Sequence, residues 1–482
     1  MPSPAVRPGL IDADVPFWRT LLRFLVPLMA SNILQALSAT IGNIYLGRFI
    51  GVSAIAAASS FFPFLFFLIS FLIGISNAST VLIGQAFGAG LPERVREVAG
   101  TTITVNILLG AALAALGGIF APTVLAAVHT PADILASATE YARILLYAMP
   151  LLFLYLLYTT FLRGTGDSAT PFYSLIFNCA IALLVMPVLI TGQIGIPGFE
   201  MSLGGRHVAI PSFGFATGLP GLGLNGSAYT SIIANLLTLV GLGAYLLRRR
   251  HPLAPDWALL SHLAIDWPIL RTLIRIGIPT ATQMVLISLS EIAVLSFVND
   301  YGSDATAAYG AVNQVVSYVQ FPAISVGIAA SIFGAQAIGR GEQGRLGEIT
   351  RTALLLNLLI VLTLIAIVYG FGRNILGWFL TDPHTLALAY RLLGITLWSY
   401  VLFGMTAVLS GIMRSSGTVF WPTAISIFAI WGVEVPAAWG LSRWIGIDGI
   451  WIAYPIAFAA GLAMQASYFL LVWRHRRFSR LI

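Results

Sequence analysis

The sequence predicts an all-α polytopic membrane protein: twelve transmembrane helices in two six-helix lobes, related by a pseudo-two-fold axis along the membrane normal. Three observations predict it. The 482 residues are 58% hydrophobic and only 9% charged, with a mean hydropathy of +0.91, against roughly 25% charged residues in soluble domains. The apolar residues form continuous runs rather than the alternating pattern of a membrane barrel, and each is long enough to cross about 30 Å of hydrocarbon, which takes about 20 helical residues. Finally, one set of residues recurs at a constant offset of 251, so the chain reads as a duplication.

The chain opens with a polar tail, 1–20, whose Asp12 and Asp14, with no small-residue cleavage site after an apolar run, set it apart from a signal peptide. Apolar runs follow near 24–47, 54–83, 98–127, 136–161, 171–192 and 224–247. A second set follows near 269–298, 305–334, 352–380, 386–412, 419–441 and 449–473. These define an N-lobe over 21–247, a linker over 248–267, a C-lobe over 268–473 and a tail over 474–482. On this map Arg94, Arg96, Arg163, Arg248 to Arg250, Arg271, Arg275, Arg340, Arg345, Arg351, Arg414 and the tail arginines share one side, whereas Arg48, Arg206 and Arg443 lie on the other. The positive-inside rule then places both termini and the linker in the cytoplasm.

The repeat pairs Gly51 with Gly302, Gln85 with Gln336, Gly88 with Gly339, Gly90 with Gly341, Arg94 with Arg345, Glu97 with Glu348, Arg163 with Arg414, Gly166 with Gly417 and Pro171 with Pro422. Gly223-Leu224-Asn225-Gly226 matches Gly446-Ile447-Asp448-Gly449 at an offset of 223, so the first half carries an insertion, Gly- and Pro-rich and extracytoplasmic, near 193–222. Six spans return the chain to its starting side, so the halves are parallel repeats, an arrangement that places substrate between rocking lobes. The glycine turns at Gly88 to Gly90 and Gly339 to Gly341 permit tight helix exits, and the arginines after them can pair with glutamates one turn on.

Composition also excludes chemistry. All 25 basic residues are arginine, so there is no Walker A or Schiff-base lysine. The single cysteine, Cys179, rules out an internal disulfide or a thiolate zinc site. The six histidines lie mainly in loops without an HExxH arrangement. No cofactor and no enzymatic activity are expected. The net charge of +7 comes from arginines flanking apolar runs, which read as topology signals and not as nucleic-acid contacts.

Against this apolar background the deep carboxylates stand out. Glu291 lies roughly 10 Å, at 1.5 Å per residue, below the polar outer end at Asn299 and Asp300. A charge at the bilayer centre costs roughly 2.5–3.5 kcal/mol, so such a residue faces a cavity or a partner and points to function. Ser288 and Gln283, one and two turns back, extend a polar stripe. Glu434, beside Trp431 and Pro436 in the eleventh span, is the second deep carboxylate, and a proline that frees nearby carbonyls commonly accompanies ion sites in transporters. Both are candidates for binding a coupling cation, with Na+ possible at Glu291. Gln283, Ser288, Asn313, Gln314, Asn43 and Gln35 are the candidates to line a substrate cavity, although interhelical hydrogen bonding is the ordinary use of such residues, Asn32, Asn178 and Gln320 included. The aromatic residues suit either a π-lined cavity or interfacial belts.

Read together, these features resemble the multidrug and toxic compound extrusion (MATE) family. The resemblance rests on the twelve spans in two lobes, Gly47-Arg48 with Gly51 after the first span, the exits at Gly88 to Gly90, and Arg163-Gly164-Thr165-Gly166-Asp167 leading to Pro171; it covers about 24–473. It implies a monomeric antiporter of a bacterial inner membrane that expels organic, often cationic, compounds against inward H+ or Na+. Glu291 matches the seventh-helix glutamate of one branch. The family's first-helix aspartate is Gly42 here, its fifth-helix Asn and Asp are Ala182 and Met186, and its tenth-helix aspartate is Phe403. The resemblance thus leaves coupling to Glu291, with Glu434 as a possible helper, or leaves an uncoupled carrier. Two other readings stay open, a lipid-linked precursor flippase of the same superfamily and an integral membrane enzyme such as a prenyl transferase. The latter would need clustered carboxylates for magnesium, and no DDxxD pattern is present.

Overall fold

The structure, a computed structural model, describes residues 16–50, 52–127, 130–196, 199–203, 206–210, 213–216, 220–380 and 382–482. Helices make up most of it, because in hydrocarbon every backbone N–H and C=O needs an internal partner and a helix supplies one within its own segment. In chain order they are α1 (Phe17–Phe49), α2 (Val52–Gly88), α3 (Pro92–Ala127), α4 (Ala132–Tyr147), α5 (Met149–Gly164), α6 (Ala169–Thr191), α7 (Gly223–Arg249) and the short linker helix α8 (Trp257–Leu260). The second half contains α9 (Trp267–Asn299), α10 (Ser303–Arg340), α11 (Leu346–Leu376), α12 (Pro383–Thr396), α13 (Tyr400–Ser415), α14 (Phe420–Ile427), α15 (Val435–Ile445) and α16 (Ile447–Leu471). Among the described residues eleven stretches are long and apolar enough to cross a bilayer, and the bent pair α4–α5 makes the twelfth span.

Local sequence explains where these helices start and break. Asp266 and Asp382 cap α9 and α12, accepting from the backbone N–H of Ile269 at 3.1 Å and of Thr385 at 2.7 Å, with Pro268 and Pro383 in the first turn. The run expected as one span over 136–161 is bent by 50° between α4 and α5, where Pro150 can neither donate to the preceding turn nor avoid clashing with it. An offset of 251 carries Ala148, at that bend, onto Ser399, where α12 and α13 meet through the 3-10 turn Leu397–Ser399. The insertion contains a small β-ribbon, in which β1 (Gln193–Ile196) pairs antiparallel with β4 (Phe213–Ala216), and β2 (Phe199–Leu203) with β3 (Arg206–Ile210). Strands of four or five residues are too short to show alternation in a Gly- and Pro-rich stretch.

The two halves meet where α2 packs on α9 and, at the end of the bundle that carries Arg94 and Arg345, where α2 crosses α10. A methyl group on Gly88 would strike the Gln336 carbonyl, and one on Gly339 would strike that of Gln85. Gly90 and Gly341, at φ 69° and 80°, turn the chain just beyond. Each glutamine locks the crossing: Gln85 Nε2 donates to the Ser415 carbonyl at 2.8 Å and Gln336 Nε2 to that of Gly164 at 3.1 Å. Every residue here has its partner at an offset of 251, so the seal is itself two-fold. Next to it the lobes exchange helix ends. Phe17 and Phe24 of α1 set their edges against Phe333 of α10, both at 5.4 Å, and Ile269, Leu273 and Ile276 of α9 are buried in the cluster built by the first six spans.

Candidate functional site

The second lobe gathers the carboxylates. Glu291 lies on α9, and Glu434 ends a π-helical turn, Phe428–Glu434, between α14 and α15. Pro436 has no N–H for the carbonyl four residues back, and widening the helix is one way to satisfy such a carbonyl; single π turns recur at functional sites. Trp431, within the turn, donates its indole N–H to the Leu286 carbonyl of α9 at 3.0 Å. That bond fixes the turn against the helix that carries Glu291. The two carboxylates are close enough for their charges to act on one another. Glu434 is only 6% exposed, whereas Glu291 reaches open space.

Tyrosines from three helices surround the pair. Tyr309 of α10 and Tyr400 at the start of α13 lie within range of both carboxylates. Tyr309 Oη and Tyr454 Oη of α16 are 3.1 Å apart, and Asn313 lies one turn along α10 from Tyr309. Its ring stacks on Trp451, with centroids 5.4 Å apart and planes 14° from parallel. Phe458 completes the wall against Tyr400, Phe403 and Tyr454. Among the described residues neither carboxylate has an ion-pair or hydrogen-bond partner within the chain. A buried carboxylate in that position is neutralised by a proton or a small cation, or by a positively charged ligand held over the aromatic faces.

The other predicted residues have different surroundings. Gln283 is buried two turns below Glu291, and its Oε1 accepts from Arg414 Nη2 at 2.7 Å and from Thr423 at 3.4 Å, tying α9 to α13 and α14. Ser288 donates within its own helix to Met284 at 3.2 Å. Asn313 is exposed beside Tyr309, Gln314 is half-buried on the same helix, and Gln35 is exposed on α1. The Asn43 side chain lies outside the described residues. Asn32 donates to Ser325 across the two halves at 2.9 Å, and Asn178 bonds Asn235 and Thr238 of α7 at 3.0 and 3.2 Å, as packing amides do. Sequence reasoning missed Tyr309, Tyr400 and Tyr454. Their signal was a phenol in mid-span, where the hydroxyl needs a partner. A groove of about 400 Å³ between α6 and α7, lined by Tyr173, Phe177 and Tyr245, contains none of these groups.

A duplicated bundle of twelve spans, sealed two-fold at one end and carrying the carboxylates Glu291 and Glu434 in one lobe, is the architecture of a multi-pass membrane transporter. The chain belongs to the MATE family, whose MatE description matches residues 27–188 and 279–439. It is 50% identical over 467 residues to the probable multidrug resistance protein YoeA of Bacillus subtilis, covering 96% of each chain. It is 25% identical to the probable multidrug resistance protein YpnP of the same organism, over 91% of this chain and 92% of that one. The fold superimposes on a solved multidrug resistance MATE family transporter in an outward-facing conformation with a TM-score of 0.82 at 17% identity, covering 95% and 96% of the two chains. A MATE structure in the straight conformation gives 0.82 at 18%, over 97% and 98%. Family and relatives are transporters, not enzymes.

Proposed function

We propose that the chain is a cation-coupled antiporter of a bacterial inner membrane, exporting organic, chiefly cationic, compounds in exchange for inward H+ or Na+. The observation that carries this reading is the Glu291–Glu434 pair, set among tyrosines with no counter-charge from the described chain. In the cycle it supports, a proton or sodium ion entering from outside neutralises the pair and displaces the substrate. After the lobes rock, the ion leaves to the cytoplasm and a new substrate cation takes its place. Asn313, with Tyr309 and Tyr454, would orient the ligand; Ser288, Gln314, Gln35 and Asn43 would line its path. Positive-inside bias supports a cytoplasmic arginine-rich end with both termini, an N-lobe over 21–247, a linker over 248–267 and a C-lobe over 268–473. The α2–α10 seal at that end then corresponds to the outward-facing end state, in a carrier working as a monomer. An acidic, aromatic lining suits an organic cation and does not suit a pyrophosphate-linked lipid.

The test is efflux of a fluorescent organic cation from proteoliposomes with proton and sodium gradients imposed separately, for wild type, Glu291→Gln and Glu434→Gln. Loss of gradient-driven efflux in Glu291→Gln is the expected result. Undiminished coupled efflux in both variants would remove the carboxylates from the mechanism, and flux indifferent to both gradients would mark an uncoupled carrier.

A further inference from the structure

We infer that the segment from Trp473 to Ile482 is a strap that holds the two lobes together at the arginine-rich end, so that this end opens only when the strap releases the first lobe. The inference rests on the lobes rocking as proposed above. After α16 the chain makes a 3-10 turn, Trp473–His475, and its anchor on the second lobe is extensive. Trp473 is buried and donates its indole N–H to Ser416 Oγ at 3.0 Å. Its ring lies between Phe469 and Phe478, at 5.2 and 4.6 Å. Gln343, in the turn after α10, bonds the Phe478 backbone twice, donating through Nε2 to the carbonyl and accepting from the N–H at 3.3 Å.

Three residues further on, the strap reaches the first lobe. Leu481 donates its backbone N–H to Gln85 Oε1 on α2 at 2.8 Å. Its side chain and that of Ile482 pack on the cluster of the first six spans, beside Leu82, Val98 and Ile269. The leucine methyls pass so close over Gly417 that a Cβ at that position would collide with them. Arg474, Arg476, Arg477 and Arg480 stay exposed, so only the apolar residues enter the protein.

The two-fold repeat provides an internal comparison. Gln85 and Gln336 play the same part in the seal, each donating to a carbonyl of the opposite half. Gln336 Oε1 is buried with no partner among the described residues, whereas Gln85 Oε1 is satisfied by the strap. The strap therefore adds to one side of a symmetric seal a hydrogen bond and two apolar side chains that the seal lacks on its own. Opening the α2–α10 crossing moves Gln85 and Leu82 away from Gln343 and Ser416, and the short span between Phe478 and Leu481 cannot follow both.

Nitroxides on Glu97→Cys and Glu348→Cys, equivalent positions in the two halves of which the first is half-buried and the second exposed, report the separation by double electron–electron resonance in a Cys179→Ser background. Full-length protein is compared with a chain ending after Arg477, without substrate or gradient. The truncated chain is expected to populate a longer separation with an open-to-closed ratio raised by about tenfold, the ratio that a half-buried leucine and one hydrogen bond together command. Leu481→Asp is expected to reproduce the shift. An unchanged distance distribution in the truncated protein overturns the strap; should truncation prevent purification, the same readout on Leu481→Ser decides. Because no transport is measured, failure of the antiport reading and failure of the strap are separable.

Discussion

Replacing Gly339 by alanine tests whether the α2–α10 crossing is the seal of the closed end. The added methyl is directed at the Gln85 carbonyl, which is α2 backbone and cannot swing aside as a side chain would. Relief requires the two helices to separate. Overpacking of this kind costs about 1–3 kcal/mol, and the Gln85 and Gln336 hydrogen bonds that separation stretches are worth about 0.5–1.5 kcal/mol each. Neither cost falls on a state in which the helices are already apart. At 1.4 kcal/mol per factor of ten, the sealed-to-open ratio should fall roughly 5- to 100-fold. Ser415, fully buried at the crossing, provides the probe: Ser415→Cys in a Cys179→Ser background should react with a water-soluble maleimide in proportion to the open fraction. Gly344→Ala, at a position with nothing within reach of an added Cβ, is the control and should label at the parent rate. Equal labelling rates with and without Gly339→Ala would show that the crossing does not govern access.

Two further outcomes follow from buried polar groups. Gln283→Leu removes the only side-chain acceptor seen for Arg414, whose Nε already has no partner among the described residues, and should cost about 1.5–3 kcal/mol; the thermal midpoint in detergent should fall and partly recover in Gln283→Leu with Arg414→Met. In the linker, burial holds His251 below the ordinary imidazole range against the opposing pull of Asp167, and its Nδ1 accepts from the Leu253 N–H at 3.2 Å. The folded state thus binds the proton less readily than the unfolded one, so the linker's stability is complete above about pH 6.5 and declines as pH falls below it. Amide-exchange protection over 251–262 should drop between about pH 7 and 5 in wild type and stay flat in His251→Phe; a flat wild-type profile would refute the assignment.

How far the sequence reached depended on the kind of force involved. Spans were legible because hydrocarbon imposes a length and an apolarity on every crossing, and the duplication because Gly88, Gln85 and their mates at 251 are held in place by backbone contact. The bend at Ala148 was signalled by Pro150 but hidden inside a continuous apolar run. The tyrosine wall was harder to see, since Tyr309, Tyr400 and Tyr454 come from three helices far apart in sequence and meet only through packing. Gln283 illustrates the opposite limit. It sits two turns below Glu291 on the same helix, yet its partner, Arg414, lies 131 residues away and no local pattern could have joined them.

The duplication also separates scaffold from chemistry. The positions that meet at the crossing, Gln85 with Gln336, Gly88 with Gly339 and Gly164 with Ser415, are related by the offset of 251, and a two-fold seal lets either lobe swing against the other with the same contacts broken. Glu291 and Glu434 belong to the second lobe, and the first-lobe positions at which the resemblance implies an aspartate, an asparagine and an aspartate are Gly42, Ala182 and Met186. A ligand can shift a conformational equilibrium only through its different affinity for the two states. If the cation acts at the carboxylates, that difference has to arise in the second lobe and reach the seal through α9 and α10, which carry Glu291 and Tyr309 and also enter the junction at Ile276 and Gly339. Gln283, bonded to Arg414 midway along α9, sits on that path, so Gln283→Leu should weaken the dependence of Ser415→Cys labelling on the coupling ion. An ion dependence unchanged by that substitution would place the coupling route elsewhere.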